Sequence, residues 1–354
     1  MSKCLVMANR PKDVIYFYNL WNKGFIPLQE SIDFLICQPY LDLVERTKVI
    51  FNLPIGKVYT FEEPLPTYYK NKNLVRNFFR YCKIIGRFKS ISLADYRYVL
   101  TFDDSMLHHQ FLISRFKKEH NANGLVFLAD EGLILYDRDT KRQLGFTRRM
   151  AKKMIFPKYV PLQTGLNPLV DIIFARLPEK CNCSNPDQVK KVDYRIAEED
   201  LSKWHEVFGV DGETLENLRE ISGNTILFLG TPFQLFGISY DEIINFLFSM
   251  KEFEASDIIV KPHPMEDSSP YKVYFDVLPA HIPAEILMMG IKFKFVLGYS
   301  SSALIEASLY GQKTYYLNLK LPEKFCDYER QSRFMSDVIF PVFSIHPYNL
   351  IDGP

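Results

Sequence analysis

The chain of 354 residues is longer than one hydrophobic core usually supports, so two domains of ordinary size are expected. Hydrophobic residues make up 47%, which excludes a disordered chain, and 43 basic against 42 acidic side chains leave a net charge of +1 that predicts no partner by itself. Six cysteines at positions 4, 37, 82, 181, 183 and 326 fit neither a zinc site nor a disulfide framework and read as reduced thiols of a cytoplasmic protein.

The opening Met-Ser-Lys-Cys-Leu-Val-Met-Ala has too short an apolar run for a signal peptide and reads as a buried strand. No stretch of about 18 apolar residues follows, so no spanning helix is expected. Short β-rich runs then alternate with longer helical patterns, as in the βα units of a parallel sheet. Strands are expected at Leu5 to Ala8, Ile32 to Cys37, Tyr98 to Phe102 and Leu125 to Ala129. A polar, turn-rich stretch from Pro178 to Val192 is the natural place for a boundary. Beyond it strands are expected at Thr225 to Leu229, Asp257 to Lys261, Phe293 to Leu297 and Thr314 to Leu317, with helices near 240–252, 283–290 and 302–310. No fixed-period repeat or low-complexity segment interrupts the pattern. The expected fold is α/β, with two Rossmann-like doubly wound domains, 1–190 and 191–354, facing a cleft. The last segment is free to pack back on the first domain.

Ligands of such sheets bind outside the carboxyl ends of the strands, and four strand ends carry chemistry-capable residues. The run Ser300-Ser301-Ser302 lies between a strand and a helix, where free N–H groups and the helix dipole favour an anion; one serine alone would be an N-cap. In Lys261-Pro262-His263-Pro264 two prolines fix the backbone around an imidazole that, beside a phosphate, could carry a proton to a leaving group. A structural loop histidine is the plain alternative. Gly230-Thr231-Pro232 ends another strand. Asp130-Glu131-Gly132 ends a strand of the first half, where a carboxylate could face a nucleotide, although adjacent acids are common on solvated turns. Asp103-Asp104 has a similar placement and serves as an internal control.

In this order the motifs resemble those of bacterial sialyltransferases of the two-domain GT-B type, which carry an acidic-acidic-Gly motif, a His-Pro motif and a paired Ser/Thr motif. Leu229-Gly230-Thr231-Pro232 and Lys261-Pro262-His263-Pro264 look most like glycosyltransferase family 52, the lipooligosaccharide sialyltransferases. The resemblance is clearest over residues 223–318. It implies inverting transfer of sialic acid, or a related nonulosonic acid, from its CMP ester to a hydroxyl of a cell-surface glycan such as lipooligosaccharide or capsule. No metal or other cofactor is implied, since a phosphate leaving group needs no cation once His263 and the serines assist it. The resemblance also gives Glu285 to the ribose hydroxyls, a first-turn acid being the alternative reading. The base is Asp130, with Glu131 as its neighbour, or else Asp241, whose surroundings Ser239 and Glu242 also form a capping box.

From residue 64 to 94 no acid occurs, while Lys70, Lys72, Arg76, Arg80, Lys83, Arg87 and Lys89 supply positive charge. Arg76, Arg80, Lys83 and Arg87 fall on one helical stripe, with Leu74, Phe78, Cys82 and Ile85 on another. This reads as a solvated face or as a surface, 70–89, that meets anionic membrane lipid, making the chain peripheral to the inner membrane. No stacking platform or known motif accompanies the charge, so nucleic acid is not expected as a partner. A homodimer is compatible with the sequence. The rival functions are a GT-B transferase with another nucleotide sugar, a polysialic or capsular chain-extending enzyme, and a non-catalytic glycan- or nucleotide-binding module.

Overall fold

The computed structural model describes residues 3–27, 31–62, 74–120, 123–130, 132, 135–136, 146–250, 254–264, 266–299, 301–318, 336, 340 and 345–349. The chain divides into two units, Met1–Tyr194 and Arg195–Pro354.

Runs such as Cys4-Leu5-Val6-Met7-Ala8, apolar without alternation, can only be strands covered on both faces, and such strands belong to parallel sheets. The first unit builds one from β1 (Lys3–Ala8), β2 (Ser31–Cys37), β3 (Ile55–Phe61), β4 (Tyr96–Thr101), β5 (Leu125–Ala129), β6 (Ile172–Ala175) and β7 (Val189–Lys191). Between them lie α1 (Pro11–Asn22), α2 (Leu41–Ile50), α3 (Leu74–Lys89), α4 (Leu107–His120) and α5 (Phe146–Ile155). The order β3-β2-β1-β4-β5-β6-β7 reverses between β1 and β4. One buried acid pins this sheet: Asp33 on β2 accepts from Tyr96 Oη at 2.6 Å and from Lys57 N at 2.7 Å. A Cβ at Gly56 would stand 2.6 Å from that carboxylate, so only glycine fits there.

The second unit carries α6 (Glu198–Phe208) and α7 (Gly212–Ser222) ahead of its sheet. The sheet holds β8 (Ile226–Leu229), β9 (Ile258–Lys261), β10 (Asp276–Val277), β11 (Phe295–Gly298), β12 (Thr314–Asn318) and β13 (Ile345–Asn349). Helices α8 (Tyr240–Ser249), α9 (Ala284–Met288) and α10 (Ser302–Leu309) connect them. Its order is β10-β9-β8-β11-β12-β13. Every strand pairing in both sheets is parallel among the described residues. Ile226, Phe228, Ile258, Val260 and Leu297 form the core with Phe246, Leu247 and Tyr271.

The stretch Pro178 to Val192, where a boundary was expected, makes 3-10 turns at Pro178–Lys180 and Pro186–Gln188, then β7 pairs with β6. Tyr194 is buried, with its hydroxyl donating to Phe174 O at 3.1 Å, and the division follows it rather than residue 190. On α3 the apolar stripe is rotated from the expected one, since Ile84, Ile85 and Phe88 are buried and Cys82 is exposed. Lys70 and Lys72 lie outside the described residues. No helix among the described residues is long and apolar enough to cross a membrane.

Candidate active site

In the second unit the chain runs from β8 to one edge and returns to the other side of β8 through β11, so β8 marks the switch point where such sheets bind ligands. The loops after β9, β8 and β11 therefore emerge side by side, and they are the loops that carry the three motifs. Gly230 N extends the ladder by donating to Lys261 O at 2.8 Å, while Thr231 Oγ1 reaches the other way to Tyr299 O at 3.1 Å. Pro232 is half-buried behind them.

The His-Pro turn is braced from beneath by a residue that the sequence did not single out. Glu266 donates its N–H to His263 O at 2.9 Å, and its Oε2 accepts from His263 N at 3.1 Å. Tyr271 Oη donates to Glu266 Oε1 at 2.8 Å. A Cβ on Gly230 would fall 2.2 Å from Glu266 Oε2 and 3.0 Å from Pro262 Cα, so glycine is what lets this carboxylate tuck under β8. Burial pushes Glu266 up to about 7. The interval from His263 to Glu266, three residues across a turn, was the available signal. His263 itself is half-buried, Pro262 buried and Pro264 exposed.

Lys261 is buried with its Nζ donating to Pro262 O at 2.9 Å and Ala280 O at 3.1 Å. Burial pushes its ammonium down to about 8, against the opposing pull of the Glu285 and Glu266 carboxylates. Glu285, in the first turn of α9, is buried too, so it acts on Lys261 through their charges. Ser301 caps α10, accepting from Ala303 N at 3.3 Å, and Ser302 occupies the first helical position. Ser300 lies outside the described residues.

The proposed bases have different surroundings. Asp130 is fully buried in a fork with Arg176, Nε at 2.9 Å and Nη2 at 3.1 Å. Its oxygens also accept from Tyr136 Oη, Gly132 N at 2.7 Å and Arg176 N at 3.3 Å. A carboxylate so occupied holds a turn and offers no lone pair to a substrate. Arg176, placed just after β6, was the missed partner, and Glu131 lies outside the described residues. Asp241 is exposed at the second position of α8, inside a formed capping box in which Glu242 N donates to Ser239 Oγ at 3.2 Å. Its neighbour Tyr240 accepts from Asp267 N at 3.0 Å, which ties the start of α8 to the His-Pro turn.

At the reversal of the first sheet, a buried polar network joins the ends of β1 and β4. His109 meets the Asn9 side chain at 3.0 Å and Thr101 Oγ1 at 2.6 Å. Burial pushes this imidazole down to about 4. Asp104 accepts from Gly165 N at 2.9 Å and Asn167 N at 3.1 Å, and burial lifts it to about 7. The pair Asp103-Asp104 thus anchors a neighbouring loop.

Two parallel, Rossmann-like α/β units, the second with its loops gathered at the switch point, define the GT-B fold of glycosyltransferases and nucleotide-sugar epimerases. The Methanocaldococcus jannaschii UDP-GlcNAc 2-epimerase in complex with UDP-GlcNAc and UDP is similar at 11% identity and a TM-score of 0.57, over 99% of this chain and 89% of that one. Phytolacca americana UGT2, complexed with UDP-2fluoro-glucose and pterostilbene, is similar at 12% identity and a TM-score of 0.55, over 98% and 85%. Arabidopsis thaliana UGT89C1 complexed with UDP is similar at 10% identity and a TM-score of 0.56, over 99% and 86%.

The chain belongs to the alpha-2,8-polysialyltransferase (POLYST) family, whose model matches residues 52–318. It is a glycosyltransferase of that family, and the match spans all three motifs. The matched model is that of polysialyltransferases, whereas the motifs had suggested family 52. No curated protein matches the chain.

Proposed function

We propose that this chain is an inverting sialyltransferase that uses a CMP-activated sialic or related nonulosonic acid and extends a sialic acid-bearing capsular or lipooligosaccharide glycan. The observation that carries this reading is the convergence of the Gly-Thr-Pro, His-Pro and serine loops on adjacent strand ends at β8. The family match supports chain extension over a single capping transfer.

In the proposed reaction the acceptor hydroxyl oxygen attacks the anomeric carbon as the bond from that carbon to the phosphate oxygen breaks. CMP leaves with the electron pair. The start of α10 and its serine hydroxyls receive the phosphate, and His263 donates a proton to the departing oxygen. Lys261 and Glu285 form the charged floor beneath the nucleotide. Asp130 is a positioning residue that, paired with Arg176, holds Gly132 N after β5. The acceptor proton passes to a carboxylate, and Asp241, at the start of α8 tied to the His-Pro turn, is the one in the same unit as the nucleotide loops. No step calls for a metal or another cofactor.

Donor choice tests the reading. CMP should raise the melting temperature more than UDP or GDP at equal concentration, because a ligand stabilises the state it binds. Greater stabilisation by UDP would point instead to a UDP-sugar transferase.

A further inference from the structure

Two helices of the first unit turn outward what helices usually bury. On α3, Val75 and Phe79 sit one turn apart on the side opposite Ile84, Ile85 and Phe88, and are 70% and 65% exposed. On α5, Phe146, Met150 and Met154 recur every fourth residue and are 78%, 45% and 74% exposed. The two helices pack against each other. Five of the thirteen large apolar side chains exposed among the described residues therefore stand on this one helix pair.

Its charge is equally lopsided. The two helices hold five and four basic residues and no acid, in a chain whose 43 basic and 42 acidic side chains as a whole nearly balance. Some are engaged: Lys83 pairs with Glu62 at 2.5 Å, and Lys152 lies over the Tyr159 ring at 4.9 Å. Arg76 and Arg149 are exposed beside the apolar rows, and Lys153 is half-exposed.

We propose that the α3–α5 face docks on the surface of an anionic phospholipid bilayer, with the apolar rows at the acyl boundary and the basic residues on the phosphates. Helices that carry nine basic residues and no acid, Lys83 being paired to a carboxylate outside them, favour an anionic partner. Exposed phenylalanine and methionine select one with a hydrocarbon layer, which an anionic glycan lacks. A second copy meeting this face symmetrically would set positive charge against positive charge. The inference does not depend on the donor.

The test floats the full chain with vesicles of one part phosphatidylglycerol to two parts phosphatidylcholine, and with phosphatidylcholine alone. The variant Phe79→Ser/Phe146→Ser/Met154→Ser changes only exposed positions, and circular dichroism and CMP binding should match the unaltered chain. The unaltered chain should float with the anionic vesicles, and both omission of phosphatidylglycerol and the triple variant should weaken binding by about tenfold or more. Failure to float, or equal flotation of the triple variant, overturns the proposal. So does retention on an immobilised anionic polysaccharide without vesicle binding, or a change of oligomeric state in the variant without loss of vesicle binding.

Discussion

Asp130→Asn keeps the side chain's shape and removes its charge, and the surroundings of Asp130 make that costly. The Arg176 and Asp130 side chains are 3% and 0% exposed, so neither charge can turn to water. An amide offers one acceptor oxygen where two are in use and directs N–H groups at donors. Removing one partner of a buried pair costs about 3–5 kcal/mol, set against about 5–15 kcal/mol for a whole domain. Urea unfolding should therefore show the loss in Asp130→Asn and in Arg176→Gln, with the double variant losing less than the sum because neither charge is left alone. Transfer per folded molecule should fall far less than the stability does. An unchanged urea midpoint with transfer abolished at saturating substrates would refute this reasoning and make Asp130 the base.

His263→Ala should lower kcat by about 100-fold while leaving the urea midpoint nearly unchanged, because the turn is braced through the His263 backbone. Near-normal kcat would remove its role. Ser301→Ala with Ser302→Ala should weaken CMP binding by about 1–3 kcal/mol in calorimetry, and unchanged affinity would leave these hydroxyls only the cap. Glu266 titrates near 7 in the folded chain against an ordinary 4.5, so its contribution is complete below pH 4.5 and is lost as pH rises through 7. Lys261, lowered to about 8, works the opposite way only above that pH. Glu266→Gln should accordingly flatten the fall in Tm between about pH 5 and about pH 7.5, and an identical fall in both proteins would contradict the assignment.

Strands covered on both faces were legible in the sequence because burial demands an unbroken apolar run, as in Leu125 to Ala129. The edges were not. β7 is Val-Lys-Lys, β10 has two residues, and β13 contains Pro347, which only an edge strand tolerates. The loops around β8 were legible because a strand followed by Gly, Pro or Ser marks the carboxyl edge whatever the pairing. What sequence could not supply was which polar groups meet. Asp130 and Arg176 lie 46 positions apart, and only the pairing of β5 with β6 brings them into one fork. Glu266 follows His263 closely, yet nothing in its identity distinguishes a brace from a solvated turn acid until Gly230 and Tyr271 enclose it.

The central claim is transfer from a CMP ester. The chain should be incubated with labelled CMP-sialic acid and an α2,8-linked oligosialic acid primer, with excess EDTA present, and both CMP and lengthened primer quantified. Equal amounts of released CMP and transferred label, unaffected by EDTA, are predicted. No transfer from CMP-sialic acid, with lengthening instead from a UDP- or GDP-sugar, would contradict the account.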